Sequence, residues 1–163
     1  MTSRADVTVR DANETAFVNQ REQELFFPAG LLGFGSCHQY KLEHFKPDDG
    51  SESPFFMLCA LDQDLSFPLI HPESVSLDYR FPVTPELLMA LEAKAPDELV
   101  PLLIVTVRDR LEEITVNLQG PVIVNPNSSL GLQLVIEQYP LRHPLLQRAE
   151  LLTTPFTKIP ADP

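Results

Sequence analysis

No tryptophan, only six glycines, two cysteines, and twelve basic residues against 23 acids: the sequence is defined first by what it does without. Cys37 and Cys59 are too few for a disulfide scaffold and read as packing residues, kept as thiols in a reducing compartment. The shortage of cations leaves a formal net charge of -11 and a pI near 4.6. Such a field repels phosphate backbones, which argues against direct nucleic-acid binding and favours basic partners. Apolar runs such as residues 102–107 fall far short of the roughly 20 residues that a membrane-spanning helix needs. Residues 1–21 are polar and mixed in charge, without the apolar stretch of a signal peptide, so a cytoplasmic location is expected. The sequons at Asn13 and Asn127 would matter only in a secreted protein.

What is present is globular: 163 residues, 44% hydrophobic and 21% charged, enough for one buried core. Short apolar runs alternate with Pro, Gly, Asn and Asp, the punctuation of a strand-rich meander. Strands are expected at residues 25–27, 39–42, 55–61, 65–70, 75–79, 102–107, 114–118, 121–124 and 133–136. Val75, Leu77 and Tyr79 alternate with Ser74, Ser76 and Asp78, and Ile114, Val116 and Leu118 with Thr115, Asn117 and Gln119, as in half-buried antiparallel sheet. One segment breaks the period: Thr84 as a cap, Pro85 at the first helical position and Glu86 beside it predict a short helix over 85–93, stopped before Pro96. Residues 45–53 are the longest expected exposed loop. The fold class is therefore mainly β: a single-domain antiparallel β-barrel-like or sandwich-like fold with one short helix. Its organisation is a flexible or edge lead-in at 1–24, a β domain at 25–150 and a C-terminal tail at 151–163.

A search for chemistry finds no catalytic residues, no metal ligands and no cofactor site. Gly30, Gly33 and Gly35 do not have the G-x-G-x-x-G spacing and read as a wide turn needing positive φ. His38, His44, His71 and His143 form no zinc motif, and adjacent Cys37 and His38 would point to opposite faces of a strand. Asp48, Asp49, Glu52, Asp62, Asp64, Glu73 and Asp78 read as solvated faces and turn caps, with Asp62, Gln63 and Asp64 at a turn between two strands.

Several strings resemble one family in order. Residues 27–34 (FPAGLLGF) look like the F-x-x-G-[L/I]-[P/L]-G-F signature of the flagellar assembly factor FliW family. Residues 54–70 (PFFMLCALDQDLSFPLI) are similar to its next block, followed by Val75, Asp78 and Tyr79. Thr115, Val116, Asn117, Leu118 and residues 121–125 resemble its T-V-N-L-x-x-P-I-x-I-N stretch, and Gly131, Gln133, Tyr139 and residues 141–144 close the series. Leu32 stands where Pro is usual and Gly35 where an acid is common, and the regions around 45–53 and Pro85 look longer than in a minimal member.

The resemblance implies a non-enzymatic, protein-binding regulator of flagellin synthesis. Members of the family bind the RNA-binding translational repressor CsrA and antagonise it allosterically; they also bind flagellin, so that accumulating flagellin sequesters them. An acidic chain suits a basic partner, because charge steers the encounter while an apolar centre specifies it. The partner-binding candidates are Phe34, Asp62, Gln63, Asp64, Leu65, Phe67 and Ile70. Nothing in the sequence demands more than a monomer. Two alternatives remain at this point: a flagellin chaperone without a regulatory partner, and a small-ligand-binding or hydrolytic β-barrel with its site among Cys59, His71 and nearby acids.

Overall fold

The computed structural model describes residues 5–7, 22–51, 53–75 and 78–145. The 151–163 tail, most of the 1–24 lead-in, Asn13, Glu52 and Leu77 lie outside the described residues. Ten strands are described: β1 (Ala5–Val7), β2 (Glu22–Phe26), β3 (Gln39–His44), β4 (Phe55–Ala60), β5 (Ser66–Ile70), β6 (Phe81–Val83), β7 (Val100–Thr106), β8 (Thr115–Asn125), β9 (Leu130–Gln133) and β10 (His143–Pro144). Among the described residues one α-helix, α1 (Pro85–Ala90), lies between β6 and β7.

Strands β8, β7, β5, β4, β3, β2 and β9 pair in that order, and β9 pairs again with β8, which closes a seven-stranded barrel. The choice between barrel and sandwich is thus settled in favour of closure. Seven strands cannot alternate in direction all the way round a ring, so one neighbouring pair must be parallel. That pair is β2 with β9, which meet at a single position, Phe26 opposite Leu130, with the Phe26 N–H donating to Ser129 O at 2.9 Å. Every other pairing around the barrel is antiparallel, as expected.

The alternation of side chains gives the barrel wall two buried faces. Leu25, Phe27, Tyr40, Leu58, Leu69 and Leu102 fill the interior. Ile70, Phe81, Leu91, Leu103, Val116 and Ile123 form a second core that includes the β6–α1 segment. Both faces being apolar explains why β7 reads as a nearly continuous hydrophobic run.

Residues 114–118 and 121–124 belong to one long strand and its entry, not to two strands. Between Leu102 and Ile104 of β7 the register against β8 jumps from Val122 to Asn117. Three extra residues on β8, an odd number, reverse its phase: Val116 and Leu118 join the outer core, whereas Val122 and Val124 join the interior. The Asn117 carboxamide holds the bulge by accepting from the N–H groups of Gln119 and Gly120, both at 2.9 Å.

The helix starts as expected: Thr84 Oγ1 accepts from Leu87 N–H at 3.1 Å, and Pro85 opens the first turn. It ends three residues early because Glu92 turns left-handed (φ 52°). Glu92 N–H then bonds Met89 O and Ala93 N–H bonds Leu88 O, the paired bonds of a Schellman stop. Of the strand expected at 75–79, Val75 instead ends a 3-10 turn, Pro72–Val75, initiated where Ser74 N–H bonds His71 O, Asp78 and Tyr79 belong to no strand, and Ser76 and Leu77 lie outside the described residues. Tyr79 nevertheless faces inward as its alternation suggested: it is buried, and its hydroxyl donates to Leu118 O at 2.6 Å. The expected strand at 133–136 is displaced toward the N-terminus, to β9. Among the described residues no helix is long and apolar enough to cross a membrane.

Candidate functional site

The chain leaves β2 at Phe26 and returns at β3 through residues 27–38, a loop with no Lys, Arg, Asp or Glu between 27 and 37. Gly30 (φ 69°) lets it fold onto itself: a Cβ there would lie 2.5 Å from Phe34 O and 2.7 Å from Gly35 Cα. Phe34 N–H then bonds Leu31 O at 2.8 Å, and Cys37 N–H bonds Phe34 O at 3.2 Å. This tight fold presents Phe34 at the surface, 39% exposed.

Beside it stands the β4–β5 hairpin. Ala60 N–H bonds Leu65 O, Leu65 N–H bonds Gln63 O, and Leu61 N–H bonds Gln39 O, which ties the hairpin to the start of β3. Asp62, Gln63 and Asp64 are exposed at the tip, as the turn reading expected, and Leu65 and Phe67 are half-buried behind it. Pro68 has no N–H to give a ladder, and the pairing of β5 with β7 is confined to Leu69 with Ile104 and Ile70 with Leu103. Phe67 is left without a paired β7 residue and tilts into an edge-to-face contact with Phe34, ring centroids 5.3 Å apart.

Two residues from separate sequence blocks thus form one aromatic pair. Beneath it Tyr40 is fully buried, 6.5 Å from the Phe67 ring and 5.2 Å from Phe27. Burial, reinforced by the adjacent Cys37 thiol and the Asp62 charge, holds the Tyr40 phenol above its ordinary range. Cys37 Sγ lies 3.9 Å from Asp62 Oδ1, a weak contact linking the loop to the hairpin. Six of the seven candidates therefore gather around one end of the barrel. Ile70 is the exception: alternation turns it away from Phe67 and Leu69, and at 1% exposure it is a core side chain with no surface to offer.

The surface is acidic and apolar together, since no Lys or Arg occurs between Lys46 and Arg80. Sequence reasoning missed Phe26, Leu32 and Leu61, which are 43%, 55% and 44% exposed around the same end. It also missed what holds the loop: Leu32 N–H donates to Gln133 Oε1 at 2.9 Å, and Gln133 Nε2 donates to Gly120 O at 2.8 Å in the β8 bulge.

Cys59 and His71 do not converge. Cys59 sits in register with Lys41 and Ser66, its thiol pushed up by burial and then by Glu43. His71 packs edge-on against Phe56 at 5.1 Å, and burial, followed by the charge of His44, lowers its pKa to about 4. Among the described residues no three His, Cys, Asp or Glu side chains could hold a metal ion together.

Comparisons with known proteins agree with one another. The family model described as FliW protein matches residues 9–145. A protein of Natranaerobius thermophilus named flagellar assembly factor FliW is 38% identical over 123 residues, 73% of this chain and 79% of that one. One of the same name from Desulfitobacterium hafniense (strain Y51) is 36% identical over 137 residues, covering 82% and 88%. A crystal structure of the flagellar assembly factor FliW superimposes with a TM-score of 0.66 at 26% identity, covering 76% of this chain and 86% of that one.

Proposed function

The chain belongs to the FliW family of flagellar assembly factors, and from that premise we propose that it couples flagellin level to flagellin translation. In this reading it binds a CsrA-type translational repressor in the cytoplasm and antagonises it allosterically, and it also binds flagellin, which withdraws it from the repressor. The role needs binding and release, not catalysis.

The observation that carries the binding half is the Phe34–Phe67 pair, an accessible aromatic centre at 5.3 Å beside the exposed carboxylates of Asp62 and Asp64. Anchors of that kind dominate binding energy when a partner desolvates them. Carboxylates at the rim, in a chain of net charge -11, accelerate encounter with a basic repressor.

The test is titration calorimetry against the same organism's CsrA-type repressor at low and moderate salt, with and without flagellin. Saturable binding that flagellin abolishes, and that weakens with salt, is the expected result. Binding to flagellin alone would reduce the protein to a chaperone, and binding to neither would remove the proposal.

A further inference from the structure

The barrel closes at its weakest seam, and the surface there is not finished. Among the described residues, β2 meets β9 at the one pair Phe26–Leu130. On the outside of this seam lies an open depression of ≈ 230 Å³, bordered by Glu24, Phe26, Gln39, Leu61, Ser129 and Leu130. It is smaller than the roughly 300–1,000 Å³ of a drug-sized ligand site, but it has room for one large side chain. Phe26 and Leu61 flank it at 43% and 44% exposure, a cost in apolar surface left in water that no packing within the described residues recovers.

Two features indicate what fits. The depression is continuous with the candidate surface, because Leu61 immediately precedes Asp62 and its N–H is tied to Gln39 O at 3.0 Å. Its surroundings are net acidic: Glu24 borders it, the Lys41 opposite Glu24 on β3 is already held by Glu22 and Glu43 at 3.3 and 3.4 Å, Asp62 and Asp64 follow on the hairpin, and no Lys or Arg lines the depression itself. We propose that this seam depression is an anchor pocket of the protein-binding surface, taking a large apolar side chain of a partner segment that carries Lys or Arg next to the anchor. The inference rests on the protein-binding reading above and adds a pocket, a side-chain class and a charge to it. The anchor fills the space between Phe26, Leu61 and Leu130, and the neighbouring cation meets Glu24. A segment with an acid beside the anchor is rejected, since like charges would face each other at the rim.

The experiment uses the whole chain with leucine methyls labelled for NMR, the intact CsrA-type repressor and intact flagellin as separate probes, and 12-residue peptides tiled along both. Expected results are that at least one intact partner and its apolar–basic peptides move the Leu61 and Leu130 methyl signals. Leu61→Glu then weakens that partner tenfold or more, and Glu24→Lys weakens it severalfold with the loss shrinking as salt rises. Both positions are at the surface, so unchanged melting temperatures are expected; Leu61→Ser serves as a milder substitute if Leu61→Glu fails to fold. Intact partners that bind without moving these methyls, and folded variants that bind like the parent chain, would overturn the pocket while leaving the functional reading standing. Binding of neither partner would overturn both.

Discussion

The outer edge of the Phe27 ring occupies the space in which a side chain on Gly131 would have to begin: a Cβ at that position falls 2.5 Å from Phe27 Cζ and 2.6 Å from Cε2. Phe27 is fully buried in the barrel interior, and Gly131 lies in β9, paired with Val124 of β8. A glycine within a strand ordinarily weakens it, and here the close approach of the ring is the reason for one.

Gly131→Ala is therefore expected to destabilise the fold by about 1–3 kcal/mol, the usual cost of overpacking a filled core. Phe27→Leu in the same chain should return part of that loss, because it withdraws the ring. Urea unfolding of the two single variants and the double variant measures the coupling; simple additivity would show that the ring contact is not the cause.

Gly30 and Gly33 share a loop and a positive φ, 69° and 85°, yet they should respond differently. A Cβ on Gly30 collides with backbone at 2.5 Å and 2.7 Å, whereas one on Gly33 meets nothing within 4 Å. Gly33→Ala is expected to cost about 1–2 kcal/mol from the left-handed backbone alone. Gly30→Ala should cost clearly more and alter the position of Phe34, seen as a changed aromatic near-ultraviolet spectrum. Equal costs would mean the loop yields freely at Gly30.

These glycines mark where the sequence was legible and where it was not. Period-two alternation located the central strands, since each side chain's face follows from its own neighbours: Ile114, Val116 and Leu118 are buried while Thr115, Asn117 and Gln119 are not. The same rule placed Tyr79 correctly as buried but not the element, since Val75 ends a 3-10 turn and Tyr79 lies in no strand, its hydroxyl bonded to Leu118 O. Small strands such as β1 and β6 were missed because three residues carry too little period, and their pairing, Ala5 with Val83, spans almost half of the chain. In the candidate site, the turn at Asp62–Asp64 could be read locally. Phe34 meeting Phe67 could not, nor could Gln133 bridging Leu32 to Gly120, because those contacts follow from barrel closure.

His71 should make stability depend on pH. Burial lowers its pKa from 6.5 to about 4, so the unfolded chain takes up a proton between those values that the folded chain refuses. Its effect is absent above pH 6.5, grows as pH falls through the unfolded value, and levels off below pH 4. A gap of that size is worth on the order of 3 kcal/mol. Unfolding free energies from pH 7 to pH 4 should decline by roughly this amount beyond the contribution of surface carboxylates. His71→Leu should remove that part of the slope whatever its effect at pH 7; an unchanged slope would show that His71 titrates normally in the fold.

Phe34, Asp64 and Ile70 separate contact from packing within the expected binding set. Phe34 is 39% exposed and stacked edge-on only at the rim, so Phe34→Ala should cost at most about 1.5 kcal/mol of stability. As an anchor, its loss should weaken the repressor or flagellin by about tenfold or more. Asp64 is exposed, and Asp64→Lys should slow association severalfold at low salt, with the effect fading as the Debye length contracts toward a few ångströms. Ile70→Val removes one buried methyl group from the outer core and should lower stability by about 0.5–1.5 kcal/mol while leaving both affinities and association rates unchanged. Surface plasmon resonance on the three variants, with melting curves alongside, reads all of these effects. Parent-like binding by Phe34→Ala and Asp64→Lys would move the interface away from this end of the barrel, because the two residues supply the most exposed ring of the expected set and one of its two exposed carboxylates.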